Sequence, residues 1–228
     1  MFKESWLDKL NRKLNRYALR NLMTYIVAGT AIVWLLEWVV WMRTETSIYQ
    51  WLDFDRALIL QGQVWRILTF VFIPDTHNLA LLAISLYFYW LIGNALENEW
   101  GSFRFDTFYL FGVLGAIVSG FIMGYTTSYY LNLSLFLAFA ILYPDHQVLV
   151  FFLIPVKMKW LAILDVVLLI FEFAVSTWTY RLALALSLVN IGIFFSRALA
   201  WKIKNYFRRK KFQRDAKRQD NGDYPFDL

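Results

Sequence analysis

The sequence predicts an all-α membrane protein built as a bundle of six transmembrane helices, on three observations. Of its 228 residues 59% are hydrophobic and 20% aromatic, and the mean hydropathy is +0.45, whereas a soluble domain is about 45–50% apolar. Several apolar stretches approach the ~20 residues that a helix needs to cross about 30 Å of hydrocarbon. Lys and Arg gather at the two ends of the chain and are sparse between them.

Taken in order, residues 3–19 place Trp6, Leu7, Leu10, Leu14 and Tyr17 at helical spacing, with Lys9, Arg12, Lys13 and Arg16 around the other side. This pattern predicts a basic amphipathic helix lying on an anionic membrane surface, occupying an N-terminal region of residues 1–20. No short apolar core with a small-residue cleavage site precedes it, so no cleavable signal is expected. The membrane domain follows over 21–200, with spans expected at 21–42, 78–97, 103–125, 129–143, 160–177 and 181–200. Residues 201–228 form a charged tail.

An even number of spans puts both termini on one side. The first 20 residues carry six Lys or Arg and residues 202–218 carry nine, and Arg104, Lys157, Lys159 and Arg197 fall on that same face; only Arg43, Arg56, Arg66 and Arg181 fall opposite. The excess of positive charge predicts cytoplasmic termini, and the expected location is a bacterial plasma membrane. The basic tail is accounted for by topology and lipid headgroup contact, so no nucleic acid is expected as a partner.

Residues 43–77, between the first two spans, are too apolar for a solvated loop and too interrupted to cross; they are expected to rest in the outer leaflet. The apolar run from Val148 to Pro155 is too short to span and is expected to form a hairpin or a re-entrant piece. With no cysteine in the chain, thiolate metal sites and disulfides are excluded; no metal and no cofactor is expected.

Three separated motifs carry a family resemblance. The first is Gly62-Gln63-Val64-Trp65-Arg66 before the second span. The second is Leu96-Glu97 followed by Trp100-Gly101-Ser102-Phe103-Arg104-Phe105 at the turn into the third span. The third is Tyr143-Pro144-Asp145 with Phe152-Leu153-Ile154-Pro155-Val156-Lys157 after the fourth. In order and spacing they resemble the rhomboid superfamily of intramembrane proteases, over roughly residues 62–193. Trp65 suits the interface, Arg66 suits carbonyls or headgroups, and Gly101 permits a tight reversal.

Active rhomboids pair a serine in Gly-x-Ser-Gly on the fourth span with a histidine on the sixth. Counting from Pro144, the serine position falls at Tyr129, and no Gly-x-Ser-Gly occurs; the base position falls at Asn190. The oxyanion-stabilising positions of the second span fall at Leu81 and Ser85, where a missing donor costs about 3 kcal/mol. The two histidines, His77 and His146, lie elsewhere. A serine hydroxyl without a base is a poor nucleophile. The resemblance therefore implies a catalytically dead member, a rhomboid pseudoprotease in the broad sense that includes the derlins.

Glu37, Asn132, Ser134, Asp165, Glu172 and Asn190 fall inside predicted spans, where polar groups are costly and suggest function. Asp165 and Glu172 share a helical face and would look into an internal cavity. Asn132, Ser134 and Asn190 suit hydrogen bonds between helices, and Glu37 and Glu172 suit the interface. Gly112, Gly115, Gly120 and Gly124, with Ala116 and Ser119, make a small-residue surface for close packing.

The expected function is non-catalytic: binding of transmembrane client proteins, or local perturbation of the lipid bilayer by Tyr87, Phe88, Tyr89, Trp90 and the outer segment. The alternatives are an unconventional serine protease using Ser128 or Ser134, and a small transporter using Asp165 and Glu172.

Overall fold

The structure, a computed structural model, describes residues 18–150, 154–187, 189 and 192. The helix expected over 3–19, save its last two positions, the later part of the expected sixth span with Asn190, and the tail lie outside the described residues. The elements below belong to one compact unit, Met1–Asn190.

The long helix α1 (Leu22–Thr44) leads into short helices α2 (Tyr49–Leu52), α3 (Arg56–Leu60) and α4 (Arg66–Thr69), with strand β1 (Phe54–Asp55) after α2 and a 3-10 turn at Phe70–Phe72. Helices α5 (Leu79–Trp100) and α6 (Ser102–Met123) follow, then strand β2 (Tyr125–Thr126) and helix α7 (Tyr129–Leu142). A hairpin of β3 (Gln147–Val150) and β4 (Ile154–Lys157) precedes α8 (Met158–Val175) and α9 (Trp178–Ser187). Among the described residues, α1, α5 and α6 are long and apolar enough to cross a bilayer. Helix α7 has 14 residues, and α8 carries Lys159, Asp165 and Glu172 within 18.

Burial separates these helices by role. Helix α7 is the core: nine of its residues, from Leu131 to Ala140, are buried, against α5, α6 and α8. Its length, ~21 Å at 1.5 Å per residue, is short for the ~30 Å hydrocarbon, and enclosure by other helices relieves it of matching the lipid. Helix α8 is the reverse, with Met158 its one buried residue.

Two short ladders stand within the all-helical architecture. Strand β1 pairs antiparallel with β2, Phe54 opposite Thr126, and β3 pairs with β4, Val148 opposite Val156. Backbone outside a helix must still satisfy its N–H and C=O groups where water is scarce, and a short ladder does so. The run after Pro144 is thus a hairpin. Asp145 braces it through Lys159 at 3.0 Å and Lys157 at 3.4 Å, and these two ammonium groups hold its carboxyl below the usual range.

The outer segment is fastened by the first motif. Arg66 is 2% exposed, and its guanidinium donates to Gln50 O at 2.6 Å, Asp53 O at 2.9 Å and Gln63 Oε1 at 2.7 Å while pairing with the Asp53 carboxylate. Trp65 Nε1 donates to Trp51 O at 2.9 Å and Thr69 Oγ1 to Leu52 O at 2.7 Å. The carbonyls of residues 50–53, left open by the end of α2, are thus all taken by side chains from in and beside α4. A wedge completes the anchor: Phe54 packs edge-on against Phe70 and Phe121, over Gly120, where a Cβ would lie 2.6 Å from its ring. Trp51, Leu60, Val64 and Leu68 stay exposed.

The second motif closes the opposite end of α5. Gly101 takes φ +81° between α5 and α6, a conformation that suits glycine. Buried Glu97 accepts from Asn21 N at 2.9 Å and Ser102 Oγ at 2.6 Å, and Asp106 Oδ2 accepts from Leu19 N at 2.7 Å. Two carboxylates therefore receive the amides at the start of α1, where open N–H groups and the helix dipole favour negative charge. Trp100 packs on Phe108, and Arg104 is half-buried in the first turn of α6. In the small-residue surface, Gly112, Ala116, Ser119 and Gly120 are buried, while Gly124 instead ends α6 at φ +98°.

Candidate functional site

Two polar chambers meet at the first turn of α7. The smaller is a cavity of about 20 Å3, room for about one water. Thr30 of α1, Asp75 of the loop before α5, Ser85 and Tyr89 of α5, and Ser128 and Asn132 at the start of α7 give it its polar groups; Met23, Leu82 and Val71 are among its apolar walls. Asn132 stands on its wall beside Asp75 and Tyr89, which brings three parts of the chain together. Asp75 keeps an exposed edge, yet desolvation by the cavity walls pushes its carboxyl above the usual range, with the Asn132 side chain pulling it back.

The larger chamber, of about 260 Å3, is lined by Ser119, Thr126, Thr127, Tyr129, Tyr130, Glu172 and Tyr180 among others. One carboxylate oxygen orders it. Glu172 Oε1 accepts from Tyr130 OH at 2.8 Å and from Tyr180 OH at 2.6 Å, and the two hydroxyls also meet each other. Helices α7, α8 and α9 are thereby tied through a single acid, which meets the requirement that a charge away from water be hydrogen-bonded.

Several expectations need correction. Of the two positions matched to oxyanion donors, Ser85 lines the small cavity and donates to Leu82 O at 3.0 Å, but Leu81 is 58% exposed and Leu82 takes the wall. Tyr129, matched to the nucleophile, lines the larger chamber, and it is Ser128 that stands with Ser85. Glu172 lines a chamber as the shared face with Asp165 implies, and there it is bound by two tyrosines. Asp165 is half-buried, not on that chamber's wall, and within electrostatic reach of Tyr129. Glu37, expected at the interface, is buried and accepts from Ile48 N at 2.7 Å.

Both serine hydroxyls have a carbonyl acceptor. Ser128 Oγ donates to Ile73 O at 3.3 Å and Ser134 Oγ to Leu131 O at 2.7 Å. His77 packs at a tilt against Tyr49, and His146 packs edge-on against Phe139. Thr30, Asp75 and Tyr180 escaped sequence reasoning, since a hydroxyl or a loop acid within an apolar or aromatic run gives no periodic signal; Tyr89, expected to act on lipid, lines the small cavity.

No curated protein matches the chain. A family model matches residues 20–132, which hold every residue of the small cavity, whereas Glu172 and Tyr180 of the larger chamber fall beyond the match. The family is eukaryotic, and this overturns the bacterial plasma membrane as the expected location. The chain is an integral membrane protein with helical spans, similar from α1 to the start of α7 to the family described as "Eukaryotic integral membrane protein (DUF1751)".

Proposed function

We propose that the protein is a non-catalytic, rhomboid-like membrane protein that binds transmembrane client proteins, with six spans formed by α1, α5, α6, α7, α8 and the helix begun by α9. The observation that carries this reading is the state of α8. Ile163, Val167, Ile170 and Phe171 all stand exposed along it, so a helix of a partner meets an open apolar face, with the Glu172 chamber at one end for a polar contact. In lipid such a face gains nothing from the hydrophobic effect, and association would rest on packing and on hydrogen bonds. The Ser128 hydroxyl, which donates to the Ile73 carbonyl, supports the non-catalytic half of the reading. Exposed Trp51, Leu60 and Leu68 in the outer segment support a local effect on lipid beside client binding. Photo-crosslinkers placed at Tyr87 on α5 and Phe171 on α8, in the full chain in its native membrane, test the proposal. Adducts with membrane-spanning proteins are expected; recovery of lipid alone from both positions would overturn it.

A further inference from the structure

A third cavity shares no lining residue with either chamber. It has a volume of about 560 Å3 and is lined by Trp34, Glu37, Trp38 and Trp41 of α1 with Ser47 and His77. Its size falls in the ~300–1,000 Å3 range of small-molecule sites. The three indoles recur at intervals of four and three residues, so they stand on one face of α1, over ~10 Å of its length. Glu37 sits among them, 9% exposed and held by the Ile48 amide. Trp38 and Trp41 stand exposed beside it, so the site is open on one side. Interfacial tryptophans alone would call for no acid among them; a buried carboxylate flanked by indoles and a histidine is chemistry for a cation.

The walls also choose the kind of cation. Magnesium and calcium take about six or more oxygen ligands, and among the described residues no group of three or more acids and histidines stands ready for a metal. A primary ammonium keeps a strong hydration shell that indole faces cannot replace. A quaternary ammonium has no N–H to satisfy, sheds water readily, and is the cation that aromatic faces beside an acid recognise best. The cavity runs from Trp34, near the middle of α1, to Trp41, just before Arg43 at the helix end, so its Trp41 end lies toward headgroup depth. Ser47 and His77 place polar groups at its wall, suited to a phosphodiester.

We propose that Trp34, Trp38, Trp41 and Glu37 form a binding site for a quaternary ammonium group, as carried by a choline phospholipid or by free choline. The full chain in a maltoside detergent, titrated by native mass spectrometry with phosphatidylcholine, phosphatidylethanolamine and phosphatidylglycerol of matched acyl chains, tests it. Phosphatidylcholine is expected to be retained several-fold over the other two. Glu37→Gln, whose amide oxygen still accepts from Ile48, and Trp38→Leu should each lower that retention about tenfold. Trp51→Leu, which alters an exposed indole outside the cavity, should leave it unchanged. Choline chloride in the same titration assigns the source: displacement of the lipid by choline points to the free amine as ligand, and resistance to it points to the lipid. Equal retention of the three lipids, or unchanged selectivity in folded Glu37→Gln and Trp38→Leu variants, would overturn the proposal.

Discussion

Arg66 holds Asp53 twice, by its side-chain carboxylate and by its backbone carbonyl, and the two partners differ sharply in exposure: the Arg66 side chain is 2% exposed and that of Asp53 56%. The asymmetry says what the contact is for. The arginine is committed to the carbonyls that end α2, and the carboxylate only helps to orient it.

Arg66→Met is therefore expected to destabilise the protein by about 3 kcal/mol, because the Gln50 and Asp53 carbonyls lose a charged donor. Asp53→Asn should cost under ~1 kcal/mol, in the manner of an exposed ion pair. Denaturant unfolding of both variants in detergent checks the difference.

Phe54 and Gly120 form a matched pair. A methyl at Gly120 would approach the ring to 2.6 Å, so Gly120→Ala should cost about 1–3 kcal/mol by overpacking. The same substitution with Phe54→Leu should cost less than the sum of the single changes. A double-mutant cycle by thermal unfolding measures the coupling.

Glu97 is the carboxylate at which α1, α5 and α6 meet. Glu97→Ala removes the acceptor of Asn21 N and Ser102 Oγ, and ~2–3 kcal/mol of lost stability is expected; Glu97→Gln should cost less, since its carbonyl still accepts. Hydrogen exchange at the start of α1 should rise more in Glu97→Ala than in Glu97→Gln.

Arg66, Gly120 and Glu97 show which part of the fold the sequence makes legible. Long apolar runs place α1, α5 and α6 within a few residues, and Gly101 marks its turn because positive φ restricts the choice of residue. Side-chain partners stay hidden. Glu97 reaches back 76 positions to Asn21, and Asn132 stands beside Asp75 of a loop that carries no pattern of its own. Counting along α5 placed Leu81 in the site because rotation about a helix axis is set by packing, and Leu82 packs there. The strands were equally hidden, since β1 and β2 have two residues each, too few for an alternation of faces.

Tyr49, in the outer segment, has its phenol pushed up to about 12, first by burial and then by the Glu37 carboxylate. An unfolded tyrosine loses its proton near pH 10. Between about pH 10 and about 12 the folded chain thus binds more protons than the unfolded one, and stability falls as pH rises through that window. The difference in phenolate absorbance between the protein and its Tyr49→Phe variant should titrate near the upper value, and should move down when Glu37→Gln removes the nearby charge.

Loss of the protease reaction is the central claim, and reaction of the purified full chain with a fluorophosphonate probe tests it most directly. No labelling of Ser128 or Ser134 above that of the heat-denatured protein is expected. Stoichiometric labelling of the folded protein, abolished by Ser128→Ala or Ser134→Ala, would contradict the account.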